Sequence, residues 1–102
     1  MSTLHVVNKS PFECSALKSC VDHLSGGDAL LLIEDAVVAV KNGGSTAALL
    51  REAMAKASVY VLDPDLCARA IKNTDILAGT TPVDYRGFVD LAVRHERTHS
   101  WL

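Results

Sequence analysis

The chain has 102 residues, 49% hydrophobic and 22% charged, with a formal net charge of -2 and a pI near 6.0. That length predicts a single domain over residues 1–102 that buries roughly 65% of its unfolded surface, enough for one core but not for a deep enclosed cavity. The charge balance offers no basic patch for nucleic acid or an anionic membrane, and the apolar excess calls for a subunit interface.

The N-terminus, Met1-Ser2-Thr3-Leu4-His5, lacks the charged and apolar regions of a signal peptide. Leu4–Val7 reads as a short buried strand. Ser10-Pro11-Phe12-Glu13 then reads as a helix start: Ser10 as N-cap, Pro11 at the first helical position and Glu13 completing a capping box. The predicted helix runs over about Pro11–Leu24. In it Leu17, Cys20, Val21 and Leu24 recur at one helical face. Ser25-Gly26-Gly27-Asp28 turns the chain. Ala29–Ile33 is a continuous apolar run, far short of a bilayer span, and fits a strand covered on both faces.

Asp35 is expected to cap a short helix through Ala36–Val40. Lys41–Ser45 is a turn, and Ser45 or Thr46 caps a helix to about Lys56 with Ala48, Leu49 and Ala53 inward. Val59–Leu62 is a third strand. Asp63-Pro64 repeats the device of a cap followed by proline and opens a helix to about Ala70. Asn73–Pro82 reads as irregular, with a short strand at Ile76-Leu77. Asp84 caps a last helix whose apolar stripe is Tyr85, Phe88, Val89, Ala92 and Val93. Thr98–Leu102 is the final strand and carries the only tryptophan, Trp101.

Strands alternating with helices, without hairpin signals, predict an α/β three-layer sandwich with a mostly parallel sheet. Ligands in such folds bind at the carboxyl ends of the strands. Here that edge holds Asn8-Lys9-Ser10, Glu34-Asp35 and Leu62-Asp63.

The ordered pieces also carry a resemblance. They are Leu4-His5 with Asn8–Phe12, then Gly27–Asp35, then Tyr60-Val61-Leu62 with Asp65-Leu66 and Ala68-Arg69. Asp84-Tyr85 with Gly87–Leu91, and Ser100-Trp101, complete the set. In order and spacing across about a hundred residues, the chain resembles the DsrH/TusB family of sulfur-relay subunits. The resemblance implies a DsrE-like, flavodoxin-like fold. It implies assembly with DsrE- and DsrF-like (TusD/TusC-like) subunits in a heterohexamer, with a TusA-like donor and a DsrC/TusE-like acceptor. It further implies passage of persulfide sulfur between cysteines in the cytoplasm, toward tRNA 2-thiouridine or within sulfur oxidation. No cofactor, metal, direct nucleic-acid contact or membrane contact is implied. Ala36 and Ala70 stand where the family usually has glycine, so the local turns are expected to differ. The cysteine in the first helix tilts the likeness toward the DsrH branch.

Three cysteines, an odd number, argue against a secreted disulfide framework and for a reducing compartment. Cys20 is the candidate catalytic residue that the resemblance supplies, as the thiol that takes sulfur. Its place at the edge of the helical stripe predicts partial exposure and a near-neutral Cys20→Ser. By the burial habits of cysteine alone it reads instead as a small hydrophobe. Cys14, in a first helical turn, reads as incidental, and Cys67 reads as a hydrophobic staple with Leu62. His95 and His99 straddle a helix end and do not read as a zinc site. Glu34-Asp35 reads as capping residues, and Asn42–Thr46 as a turn without the lysine of a phosphate loop. His5 reads as a satisfied core histidine. The readings from other classes are a purely structural subunit and a flavodoxin-like phosphate or flavin binder using Asn8-Lys9-Ser10.

Overall fold

The computed structural model describes residues 2–12 and 15–101. Strands β1 (Thr3–Val7), β2 (Ala29–Leu32), β3 (Ser58–Leu62), β4 (Thr80–Val83) and β5 (Arg97–Trp101) form one sheet, in the order β4-β3-β2-β1-β5. Every neighbouring pair is parallel. Helices α1 (Ala16–His23), α2 (Ala47–Lys56), α3 (Asp63–Ala68) and α4 (Tyr85–Arg94) join the strands, with 3-10 turns at Glu34–Val40 and Asn73–Asp75. This is the expected α/β sandwich.

Handedness decides the layers. Parallel strands joined through a helix cross over right-handedly. From β1 to β4 the chain steps one way across the sheet, so α1, α2 and α3 share one face. The β4–α4–β5 connection steps back across the sheet, so α4 lies on the other. Strand side chains alternate to match. Val7, Leu30, Leu32, Val59 and Val61 pack with Leu17, Cys20, Val21, Leu50 and Leu66 under the first three helices. Leu4, Val6, Ala29 and Leu31 meet Leu91 and Phe88 of α4. All four residues of β2 are buried, which is what its unbroken apolar run requires.

The local signals at the first helix play out differently. α1 begins at Ala16, well after Pro11, and its N-cap Ser15 makes no side-chain cap bond. The Ser10 hydroxyl instead accepts the Phe12 N–H at 3.2 Å, closing a tight turn that competes with helix. Glu13 and Cys14 lie outside the described residues. Asp35 caps nothing either. The turn starts at Glu34, whose N–H goes to Asp65 Oδ2 at 2.7 Å, while Asp35 accepts from Arg69 Nη2 at 2.8 Å. The Thr46 hydroxyl donates to the Ala39 carbonyl at 2.8 Å, and α2 buries Ala47, Leu50 and Ala53, a face rotated from Ala48 and Leu49.

In the last third, Thr80-Thr81-Pro82-Val83 is a full strand that its composition hides. Pro82 is tolerated because β4 is an edge strand. Ile76 makes only a single bridge to Lys41. Asp84 caps α4 as expected, its Oδ1 accepting the Gly87 N–H at 2.8 Å. A Cβ on Gly87 would sit 2.8 Å from Val83 Cβ, so glycine lets this first turn press against β4. The apolar stripe of α4 divides. Phe88, Leu91 and Ala92 face the sheet, whereas Tyr85, Val89 and Val93 are exposed.

α3 ends in a Schellman motif. The Ile71 N–H reaches the Leu66 carbonyl at 3.0 Å and the Ala70 N–H reaches that of Cys67 at 3.1 Å. Ala70 holds the left-handed position, at φ 56, where glycine is preferred. Left-handed backbone costs a non-glycine residue roughly 1–2 kcal/mol, partly offset by the entropy a glycine loses on folding. Ala70→Gly should therefore stabilise the fold by up to about 1 kcal/mol, read as a raised denaturation midpoint at unchanged slope.

Candidate functional site

Cys20 lies in the second turn of α1, and the side of the helix it shares with Leu17 and Val21 faces the sheet. It is fully buried, not partly exposed as its stripe position suggested. Loss of hydration, and then the nearby Asp28 charge, push its thiol up to about 12. That keeps the thiol protonated at neutral pH, and the thiolate is the nucleophile. The physical reason is that Cys20 lies within the apolar face of α1, between Leu17 and Val21, and that whole face is buried.

The other candidates disperse. Cys67 is exposed and does not pack as a staple; Leu66 is the α3 side chain that enters the core. His95 closes α4, its Nδ1 bonded to the Leu91 carbonyl at 2.7 Å, while His99 lies on β5. Among the described residues no group of His, Cys, Asp or Glu is placed to hold a metal ion. Ser10 is buried and engaged by Phe12, and α1 begins too late for its N-terminus to sit over Asn8-Lys9-Ser10.

What the fold does assemble is a cluster on the α1 face of β1 and β5. His5 and Asp28 are both buried, and His5 Nε2 lies 3.0 Å from Asp28 Oδ2. Asp28 also accepts the Thr3 N–H at 3.0 Å and the Ser25 N–H at 3.1 Å. It therefore ties the start of β1, the turn after α1 and the start of β2 together. Burial pushes the Asp28 carboxyl up, but the hydrogen bonds from His5, Thr3 and Ser25 outweigh it and hold it below the ordinary carboxylate range. Trp101 Nε1 donates to His5 Nδ1 at 3.1 Å. His99 stacks on Trp101 with ring centroids 4.5 Å apart, and the His23 ring lies tilted at 5.3 Å. These groups, with Thr3, Ser25 and Arg97, line an open depression of about 480 Å³. Sequence reasoning took His5 singly as a satisfied core residue, which it is. The pairing β1–β5 that brings Trp101 to it had no local signal.

The comparisons with known proteins agree with this fold. Residues 9–98 match the model of the family described as DsrH like protein. The chain belongs to the DsrH/TusB family. Membership makes it a sulfur-relay subunit, as its motifs implied. It is similar to Protein TusB of Shigella flexneri, 38% identical over 98 residues that cover 96% of this chain and 99% of that one. It is similar to Protein TusB of Escherichia coli at 37% identity over the same shares. Among solved structures, the ychN protein from E. coli superposes with a TM-score of 0.80 over 98% of this chain and 99% of that one, at 16% identity. A protein of unknown function from Methanobacterium thermoautotrophicum gives 0.69 over 90% and 89%, at 15% identity. At those identities the two structures speak for the fold alone.

Two expected outcomes follow from the site. Asp28→Asn should cost roughly 1–3 kcal/mol at neutral pH, because it weakens three buried bonds to a charged acceptor. A carboxyl held low in the fold stabilises it above its unfolded value near 3.9, and that stability is lost as pH falls through the lower folded value. The gap between wild type and variant in urea titrations should therefore be present at neutral pH and close on acidification below about 4. Cys20→Ser should cost roughly 1–3 kcal/mol by placing a hydroxyl in apolar surroundings. In the native chain an alkylating reagent should label Cys67 and spare Cys20, as read by peptide mass spectrometry.

Proposed function

We propose that this chain is a structural subunit of a cytoplasmic sulfur-relay complex serving tRNA 2-thiouridine synthesis, with Cys20 held in the core and not loaded with sulfur. The burial of Cys20, with its thiol pushed up to about 12, is the observation that carries this reading. Persulfide transfer needs a thiolate that reaches the outer sulfur of a donor. The curated relatives named TusB, alike over nearly the whole chain, favour the tRNA pathway over sulfur oxidation. No helix among the described residues is long and apolar enough to cross a membrane, which fits the compartment.

The partners in this reading are DsrE- and DsrF-like subunits, with a TusA-like donor and a DsrC/TusE-like acceptor acting on the assembly. A five-strand sheet is about 19 Å across, and one helix about 10 Å wide covers only part of it. α4 stands alone on its face. Ser58, Thr81, Thr98 and Ser100 beside it are exposed, as is its own ridge of Tyr85, Val89 and Val93. A ridge of that kind suits a neighbouring subunit.

Co-expression with DsrE- and DsrF-like partners should give one larger species by light scattering. Val89→Asp with Val93→Asp should abolish it while leaving the isolated chain within about 0.5 kcal/mol of wild type, as for surface changes. Only free monomer beside the partners would sink the assembly. Intact-mass spectrometry of the complex after a persulfide donor should find no added sulfur on Cys20; loading that disappears in Cys20→Ser would make this chain a carrier instead.

A further inference from the structure

Trp101 decides the protonation of His5. An indole N–H only donates, so His5 Nδ1 must accept from it with its lone pair. The ring proton is then on Nε2, where it is donated to Asp28 at 3.0 Å. His5 is thus held as one neutral tautomer, bridging a buried carboxylate and the single tryptophan. A second proton has only Nδ1 to enter. That would set an N–H against the indole N–H, and the two cannot share a bond. The Asp28 bond would survive and gain charge assistance.

We propose that His5 is a pH-operated latch: neutral, it fastens Trp101 to Asp28, and protonated, it keeps Asp28 and releases Trp101. The release has somewhere to go. β5 pairs only with β1, its first four residues are exposed, and Trp101 is the residue through which it packs against the larger core. Trp101 is itself only partly buried, so a freed indole N–H meets water.

Charges around the ring set the balance. From the turn before β2, Asp28 favours the cation. From β5, Arg97 and His99 oppose it, and from α1 so does His23 once charged. Cys20, also on α1, stays an uncharged thiol in this range. His23 Nδ1 is bonded to the Ser19 carbonyl at 2.7 Å and His99 stacks directly on the indole. Both exposed imidazoles would therefore perturb Trp101 as they titrate, and a test must separate them from His5.

Nitrogen-15 NMR of the full chain, titrated across roughly pH 8 to 5 where imidazoles change charge, makes that separation. At the upper end His5 should show the Nε2–H tautomer, with a downfield, hydrogen-bonded indole proton on Trp101. On acidification the indole proton should move upfield with the same midpoint as the His5 ring nitrogens. His23→Gln with His99→Gln, both at exposed positions, should leave that coupled shift in place. Asp28→Asn should move its midpoint to lower pH, since the carboxylate that favours the cation is gone. A neutral His5 carrying its proton on Nδ1 would overturn the latch. So would an indole signal that ignores His5 protonation, or a shift that vanishes in the doubly substituted chain.

Discussion

The right-handed crossover is the constraint on which the rest of this structure depends. Four strands laid down in one direction must put their three connecting helices on one face. A fifth strand returned to the far side of β1 must put its helix on the other. The heavier face receives α1, α2, α3 and the 3-10 turn, and with them most of the buried apolar side chains. The lighter face receives α4 alone. The burial of Cys20 and the exposure of Val89 and Val93 come from the same topological rule.

At the β5 edge the same rule leaves a margin. α1 lies over β1 and meets β5 chiefly through His23, whose ring sits against Trp101. A polar network occupies that margin in place of apolar packing. Asp28 is buried yet fully bonded, to two backbone N–H groups and to His5. A buried carboxylate without those donors would be strongly destabilising. With them it becomes the point where the first strand, the first turn and the second strand are held in register.

Much of the order was legible in the chain because it rests on local chemistry. Ala29–Leu32 is unbroken and apolar because a central parallel strand is covered on both faces. Asp84 was readable as a cap because its carboxylate answers an N–H only three residues away. The motifs from Leu4 to Trp101, in their order and spacing, were enough for the family. Other local signals were true of composition but not of outcome. Ser10 has the chemistry of a cap, yet its hydroxyl was taken by Phe12 in a turn. Ala70 should have altered its turn, yet the hydrogen bonds of the Schellman motif hold it at φ 56 regardless.

By itself, then, the sequence determined the layer architecture, the succession of strands and helices, and the family, because periodicity, caps and turns act between near neighbours. The buried face of α1 was legible too, but only the tertiary structure decided which side chains of α2 and α4 face the sheet, that Cys20 is enclosed, and that β4 exists at all. It alone placed Trp101 beside His5, across 96 positions of sequence separation. The reason is physical: the burial of a helix face depends on what packs against it, and a strand pairing is set by the partner's register. Neither is written in the residues that move.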